Sequence, residues 1–176
     1  MNNIKNIVLF TLLAMYSFAS AQTNTDTPDA LYRNFSKAYA ELNSEQLVQL
    51  YTTDANIINL YRQQPPGSYT GQAEIAVFYR DYFQTVARHN QKMELSFKIV
   101  QRKTTGEHSI TDCGYFALQI TEDGKTVSTL YGKFCTQLQQ EKDHWEFKTD
   151  AATDATAQEY EQASTVSINH KSVSKG

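Results

Sequence analysis

Asp112 and Cys113 stand side by side, and the second of only two cysteines, Cys135, follows further along the same stretch. Residues of these types support three chemistries: a nucleophilic thiolate, a disulfide, or a carboxylic acid that moves a proton. A nucleophilic cysteine needs a base or cation beside it to lower its pKa. None of His89, His108, His144 and His170 lies near either cysteine in sequence or in strand register. The histidines also lack metal-ligand spacing such as His-Glu-x-x-His, and there is no phosphate-cradling glycine loop. The chain calls for no metal and no cofactor. What remains is a staple between the cysteines, or two separate thiols, and Asp112 as a candidate acid.

Position decides between these, and position depends on the hairpin that carries all three residues. Its turn centres on Glu122-Asp123-Gly124. A three-residue loop with Gly124 in the left-handed position predicts that Thr121 pairs with Lys125. In that register one face collects Ile110, Asp112, Gly114, Phe116, Leu118 and Ile120 with Leu130, Gly132, Phe134 and Leu138. The opposite face carries Cys113, Tyr115, Val127, Tyr131 and Cys135, with the cysteines as diagonal neighbours at the outer edge of disulfide reach. A two-residue loop on Asp123-Gly124 would shift the register by one and mix the faces. Asp112 thus falls on the apolar face, where a carboxylate must be paired, solvated at a strand end, or perturbed.

The elements around the hairpin follow from periodicity. Thr27 and Pro28 read as N-cap and first residue of a helix with Leu31, Phe35, Ala38 and Leu42 on one face. Asn43 or Ser44 caps a second, short helix. Residues 55–60 form a β-branched strand, and the loop after it contains Pro65, Pro66 and Gly67. A third helix, about 72–88, turns Ile75, Phe78, Tyr79, Tyr82, Phe83 and Val86 inward. From Met93 the period changes to two, and strands follow to residue 150. Helices first and strands after predict an α+β domain, with helices on one face of a curved sheet. Asn34-Phe35-Ser36 matches a glycosylation sequon, but inside a predicted helix.

The chain has 176 residues, one domain in length, with net charge -3 and no basic footprint for nucleic acid. Lys5, the apolar run from Ile7 to Phe18 and Ala19-Ser20-Ala21 make a signal-peptide pattern cleaved after Ala21. The run is too short to span a bilayer. Residues 1–21 are therefore expected to direct export to a secreted or periplasmic location. Residues 22–27 read as a loose leader, 28–152 as the domain, and 153–176 as a polar tail without order.

The run from Leu31 to Leu60, then Tyr69-Thr70-Gly71 leading the third helix, then the strand with Trp145, resembles the NTF2-like superfamily and its SnoaL-like branch. The telling pieces are Leu50-Tyr51 followed by Asp54-Ala55, Gly71, and Trp145. The resemblance implies three N-terminal helices on a curved antiparallel sheet, mixed at its edge, forming a cone that can hold a small apolar ligand. It also implies a homodimer. Expected pocket residues are Phe35, Tyr39, Asn59, Tyr79, Tyr82, Phe83, Phe116, Leu130 and Phe134. The residues that family isomerases use fall here at Asn59 for the base, Phe35 for the hydroxyl donor and Leu130 for the inward acid. Without base and donors, that isomerase chemistry is not expected. Arg62 falls near the expected mouth, either to meet an anionic ligand or as a surface residue.

Three functions are compatible with these residues. The first is an exported domain that binds a small apolar or aromatic molecule. The second is an acid–base lyase or isomerase with Asp112 as proton carrier and Asn59 as polar orienter. The third is a dimerisation module, using the face with Tyr115, Val127 and Tyr131.

Overall fold

The structure, a computed structural model, describes residues 25–168. The expected signal peptide and its cleavage point lie outside the described residues. Thr25, within the expected leader, is buried, and its carbonyl accepts the Trp145 backbone N–H at 2.8 Å.

Helix α1 spans Pro28–Ala40, and its N-cap Thr27 accepts from the Ala30 backbone N–H at 3.1 Å. Pro28 lacks the N–H that a first helical turn cannot use. The buried face comprises Leu31, Tyr32, Phe35 and Ala38. Helix α2, Ser44–Val48, is capped by Asn43, whose Oδ1 accepts from Gln46 N–H at 2.9 Å. Helix α3, Gly71–Arg88, buries Ile75, Tyr79, Phe83 and Val86. Each such side chain contributes about 1.5–3 kcal/mol on burial.

The strands are β1 (Tyr51–Asn59), β2 (Gly67–Thr70), β3 (Gln91–Gly106), β4 (Ser109–Glu122), β5 (Lys125–Glu141), β6 (His144–Asp154) and β7 (Ser167–Ile168). They form one sheet in the order β2-β1-β6-β5-β4-β3-β7. The β1–β6 pair is parallel and the others are antiparallel, so the expected α+β arrangement with a mixed edge is present. Helices α1 and α3 lie against the inner face. The edge strand β2, short and exposed at alternate residues, replaces the expected loop; Pro65 and Pro66 before it and Gly67 at its start hide it in the sequence.

The sheet must bend to wrap the helices. A bulge lies between Ile99 and Gln101 of β3, facing the stretch of β4 that contains Gly114. A Cβ at Gly114 would lie 2.0 Å from the Lys98 carbonyl oxygen, so the backbones approach closer there than any side chain allows.

The β4–β5 hairpin corrects the expected register. Asp123 (φ 50°) and Gly124 (φ 76°) form a two-residue loop, and Glu122 pairs with Lys125. Positive φ at both central residues gives the turn whose twist matches its strands. A bulge at Val127 then moves the register by one more residue, so Ile120 pairs with Ser128 and Cys113 with Cys135. The two one-residue changes add, which restores the expected faces while sliding every partner along. The cysteines are directly opposite, 4.1 Å apart at Cα, and form a disulfide on the outer face. Phe116 now lies opposite Gly132, where a Cβ would come within 2.1 Å of its ring.

The chain past residue 152, expected as a tail without order, is structured to residue 168. Strand β6 runs to Asp154, and helix α4 (Ala157–Gln162) begins with a capping box between Thr156 and Glu159. Tyr160 packs on the Tyr131 ring at 5.4 Å, bonds Ser96 Oγ at 3.0 Å, and lies 4.4 Å under the Lys98 ammonium. One aromatic anchor holds α4 on the outer face. A six-residue polar helix with no apolar stripe offers no periodicity from which to read this.

Candidate functional site

A cavity of about 630 Å³ opens between α1, α3 and the inner face of the sheet. Rings dominate its wall. Phe35 sits centrally, with Phe147 at 5.4 Å, Phe97 at 5.8 Å and Tyr79 at 6.2 Å between ring centroids. Tyr39, Tyr82, Phe116 and Phe134 also line the space, and Asn59 and the half-exposed Leu130 contribute toward its opening. Of the residues expected in the pocket, Phe83 is the exception. It is buried behind Tyr39 at 5.2 Å and does not line the cavity.

Among the polar groups that line the cavity is a carboxylate that sequence alone does not single out. Asp150 on β6 lines the wall beside Thr136. Among the described residues its hydrogen bond comes from the Tyr51 hydroxyl, which donates to Oδ2 at 2.8 Å. Tyr51 spends its proton there, so the 2.9 Å contact between the Tyr51 and Tyr79 hydroxyls is donated by Tyr79. The Tyr39 hydroxyl lies beside Tyr79. The result is a short string of phenols that ends on one acid.

Burial pushes the Asp150 carboxyl up to about 6, while the Tyr51 hydrogen bond pulls it the other way. Burial likewise raises the phenols of Tyr39, Tyr51, Tyr61, Tyr79 and Tyr82, which therefore stay protonated as donors. Asp154 lines the cavity nearer its opening and accepts the Arg62 backbone N–H at 2.7 Å. The Arg62 side chain itself is exposed and does not line the cavity.

Asp112, the expected proton carrier, is placed elsewhere and does other work. It is wholly buried, does not line the cavity, and takes two hydrogen bonds from Arg102, from Nε and Nη2, each at 2.8 Å. Arg102 also pairs with Asp29 of α1 at 2.9 Å. The bidentate pair ties β3 to β4, the Asp29 pair ties Arg102 to the start of α1, and Asp112 is left with no free geometry for proton transfer to a guest.

A backbone irregularity sets the direction of Asp150. Phe147 points inward, and strict alternation from it would send Asp150 outward. A bulge at Lys148 intervenes: Leu138 pairs with Phe147, but Gln137 pairs with Thr149 and Thr136 with Asp150. The extra residue re-aims Asp150, Ala152 and Asp154 into the cavity. No sequence signal marks Asp150, because β6 also carries His144, Glu146, Lys148 and Asp154.

No protein-family model matches the chain, and no curated protein matches it. Solved structures do. A scytalone dehydratase-like protein from Novosphingobium aromaticivorans superposes with TM-score 0.58 at 13% identity, covering 72% of this chain and 80% of that one. An NTF2-like protein of unknown function from Shewanella oneidensis gives TM-score 0.54 at 18% identity, covering 70% and 93%. A ketosteroid isomerase-like protein from Erwinia carotovora gives 0.55 at 13% identity, covering 73% and 93%. The chain has the NTF2-like fold. Among the described residues no helix is long and apolar enough to cross a membrane.

Proposed function

We propose that this chain is an exported small-molecule-binding domain whose guest is largely apolar or aromatic and carries one polar group that reaches Asp150. The observation that carries the reading is the cavity itself, a space of about 630 Å³ walled mainly by rings, with the half-buried Asp150 carboxylate in its wall. Ligand pockets share that size and that pattern of apolar wall with few polar groups. The signal-peptide pattern supports export, and the Cys113–Cys135 disulfide is compatible with an oxidising compartment. Calorimetry with naphthylmethanol, a neutral probe of suitable size, tests the reading. The mature protein should bind it, and Ala152→Phe, which projects a ring into the cavity, should lose binding while keeping the circular dichroism of the parent. A parent protein that binds no such probe ends the proposal.

A second reading has its own support in the titration of Asp150 near neutrality beside phenolic donors. An acid with that pKa is poised to take and return a proton, and a phenol can steady the oxygen that gains charge. Acid–base chemistry of a lyase or isomerase type would then run through Asp150, not Asp112. Tetralone in heavy water provides the assay, since base catalysis exchanges the protons beside its carbonyl. Exchange should rise through about pH 6 and vanish in Asp150→Asn; equal rates for parent and variant would remove this reading.

A further inference from the structure

Charge is distributed unevenly around the cavity. Asp150 and Asp154 both line it, and among the described lining residues none is Lys, Arg or His. The one arginine near the mouth, Arg62, lends Asp154 a backbone N–H and keeps its guanidinium outside. The groups that face Asp150 are the phenols of Tyr32 and Tyr39 on α1, Tyr51 on β1, Tyr61 after it and Tyr79 on α3, with the Thr136 hydroxyl on β5 and the Asp154 carboxylate on β6. All the phenols are neutral. Tyr51 occupies Oδ2, and no described residue hydrogen-bonds Oδ1.

Aromatic faces carry the negative side of the ring quadrupole and attract cations. A concave space that combines such faces with two carboxylates, and no cationic side chain among its described lining residues, concentrates negative potential. We infer that the cavity takes an aromatic or apolar amine in its ammonium form, with N–H donated to Asp150 Oδ1 and the hydrocarbon part held among Phe35, Tyr79, Tyr82 and Phe116. This rests on reading the cavity as a ligand site and adds the sign of the guest's charge. A carboxylate guest would face two like charges without a partner. A neutral alcohol would gain the apolar contacts and offer Asp150 only an uncharged hydrogen bond.

Three probes of one shape separate these outcomes: naphthylmethylamine, naphthylmethanol and naphthoate, titrated calorimetrically into the mature protein at pH 8. The amine should bind about tenfold or more tighter than the alcohol, as a charge-assisted bond implies, and naphthoate should not bind. In Asp150→Asn the amine's advantage over the alcohol should fall to about twofold or less. Lowering the pH through about 6 should weaken the amine alone, because Asp150 gains a proton while the ammonium keeps its own. If alcohol binds as well as amine, or Asp150→Asn leaves the preference intact, the inference is wrong and the cavity is a neutral site. If no probe binds, the ligand-site reading falls and the inference falls with it.

Discussion

Asp112 and Asp150 lie in one row of the sheet, separated only by Thr136 on the strand between them. Two strand spacings put them roughly 10 Å apart. Both point to the helix side, yet the fold treats them oppositely. At the Asp112 end, Arg102 closes a bidentate pair and also meets Asp29 from α1, so the Asp112 charge has its partner within the fold. At the Asp150 end a neutral phenol stands where the arginine would be, and the space beyond is open. A carboxylate whose counter-charge is built in serves the fold. One left with a neutral donor next to a cavity carries an unmet electrostatic demand, and that is where a guest can act.

The contrast can be broken most forcefully from the closed end. Arg102→Met should strand Asp112 without a partner and cost about 3 kcal/mol at neutral pH, the lower part of the range for broken buried pairs because Arg102 is partly exposed. Chemical denaturation measures this. Adding Asp112→Leu to Arg102→Met should recover most of the loss, and a failure to recover would mean that Asp112 does something other than balance Arg102.

The open end should respond with the opposite sign and less strongly. The folded-state pKa of Asp150 is raised to about 6, above the roughly 3.9 of an unfolded aspartate. The folded chain thus holds this proton more tightly. The associated stability is fully present below about pH 4 and is lost as pH rises through 6, amounting to about 2 kcal/mol with allowance for the group's remaining access to water. Asp150→Asn should therefore be more stable than the parent at pH 8, with the difference fading toward pH 4. Denaturation midpoints across that range would decide it; a variant weakened equally at both pH values would show that Asp150 is a structural acid like its neighbour.

The faces of the hairpin, the helix caps at Thr27 and Asn43 and the inward rings of α3 were legible because each depends on residues close in sequence. Phe116 and Phe134 were assigned to the inner face and the cysteines to the outer from alternation alone. Parity survives an even slip, so the two one-residue changes at Asp123-Gly124 and Val127, which add, left that assignment standing while making the cysteines direct partners.

Local periodicity thus settles which residues are apolar neighbours along an element, because side-chain direction repeats with the backbone. It cannot report a single inserted residue in a strand, since a bulge is decided by how neighbouring strands must curl around the helices. The bulge at Lys148 is such a case, and it alone turns Asp150 into the cavity. Whether an inward acid meets an arginine or an open space is likewise a matter of which strand lies beside it, and that relation exists only once the chain has closed on itself.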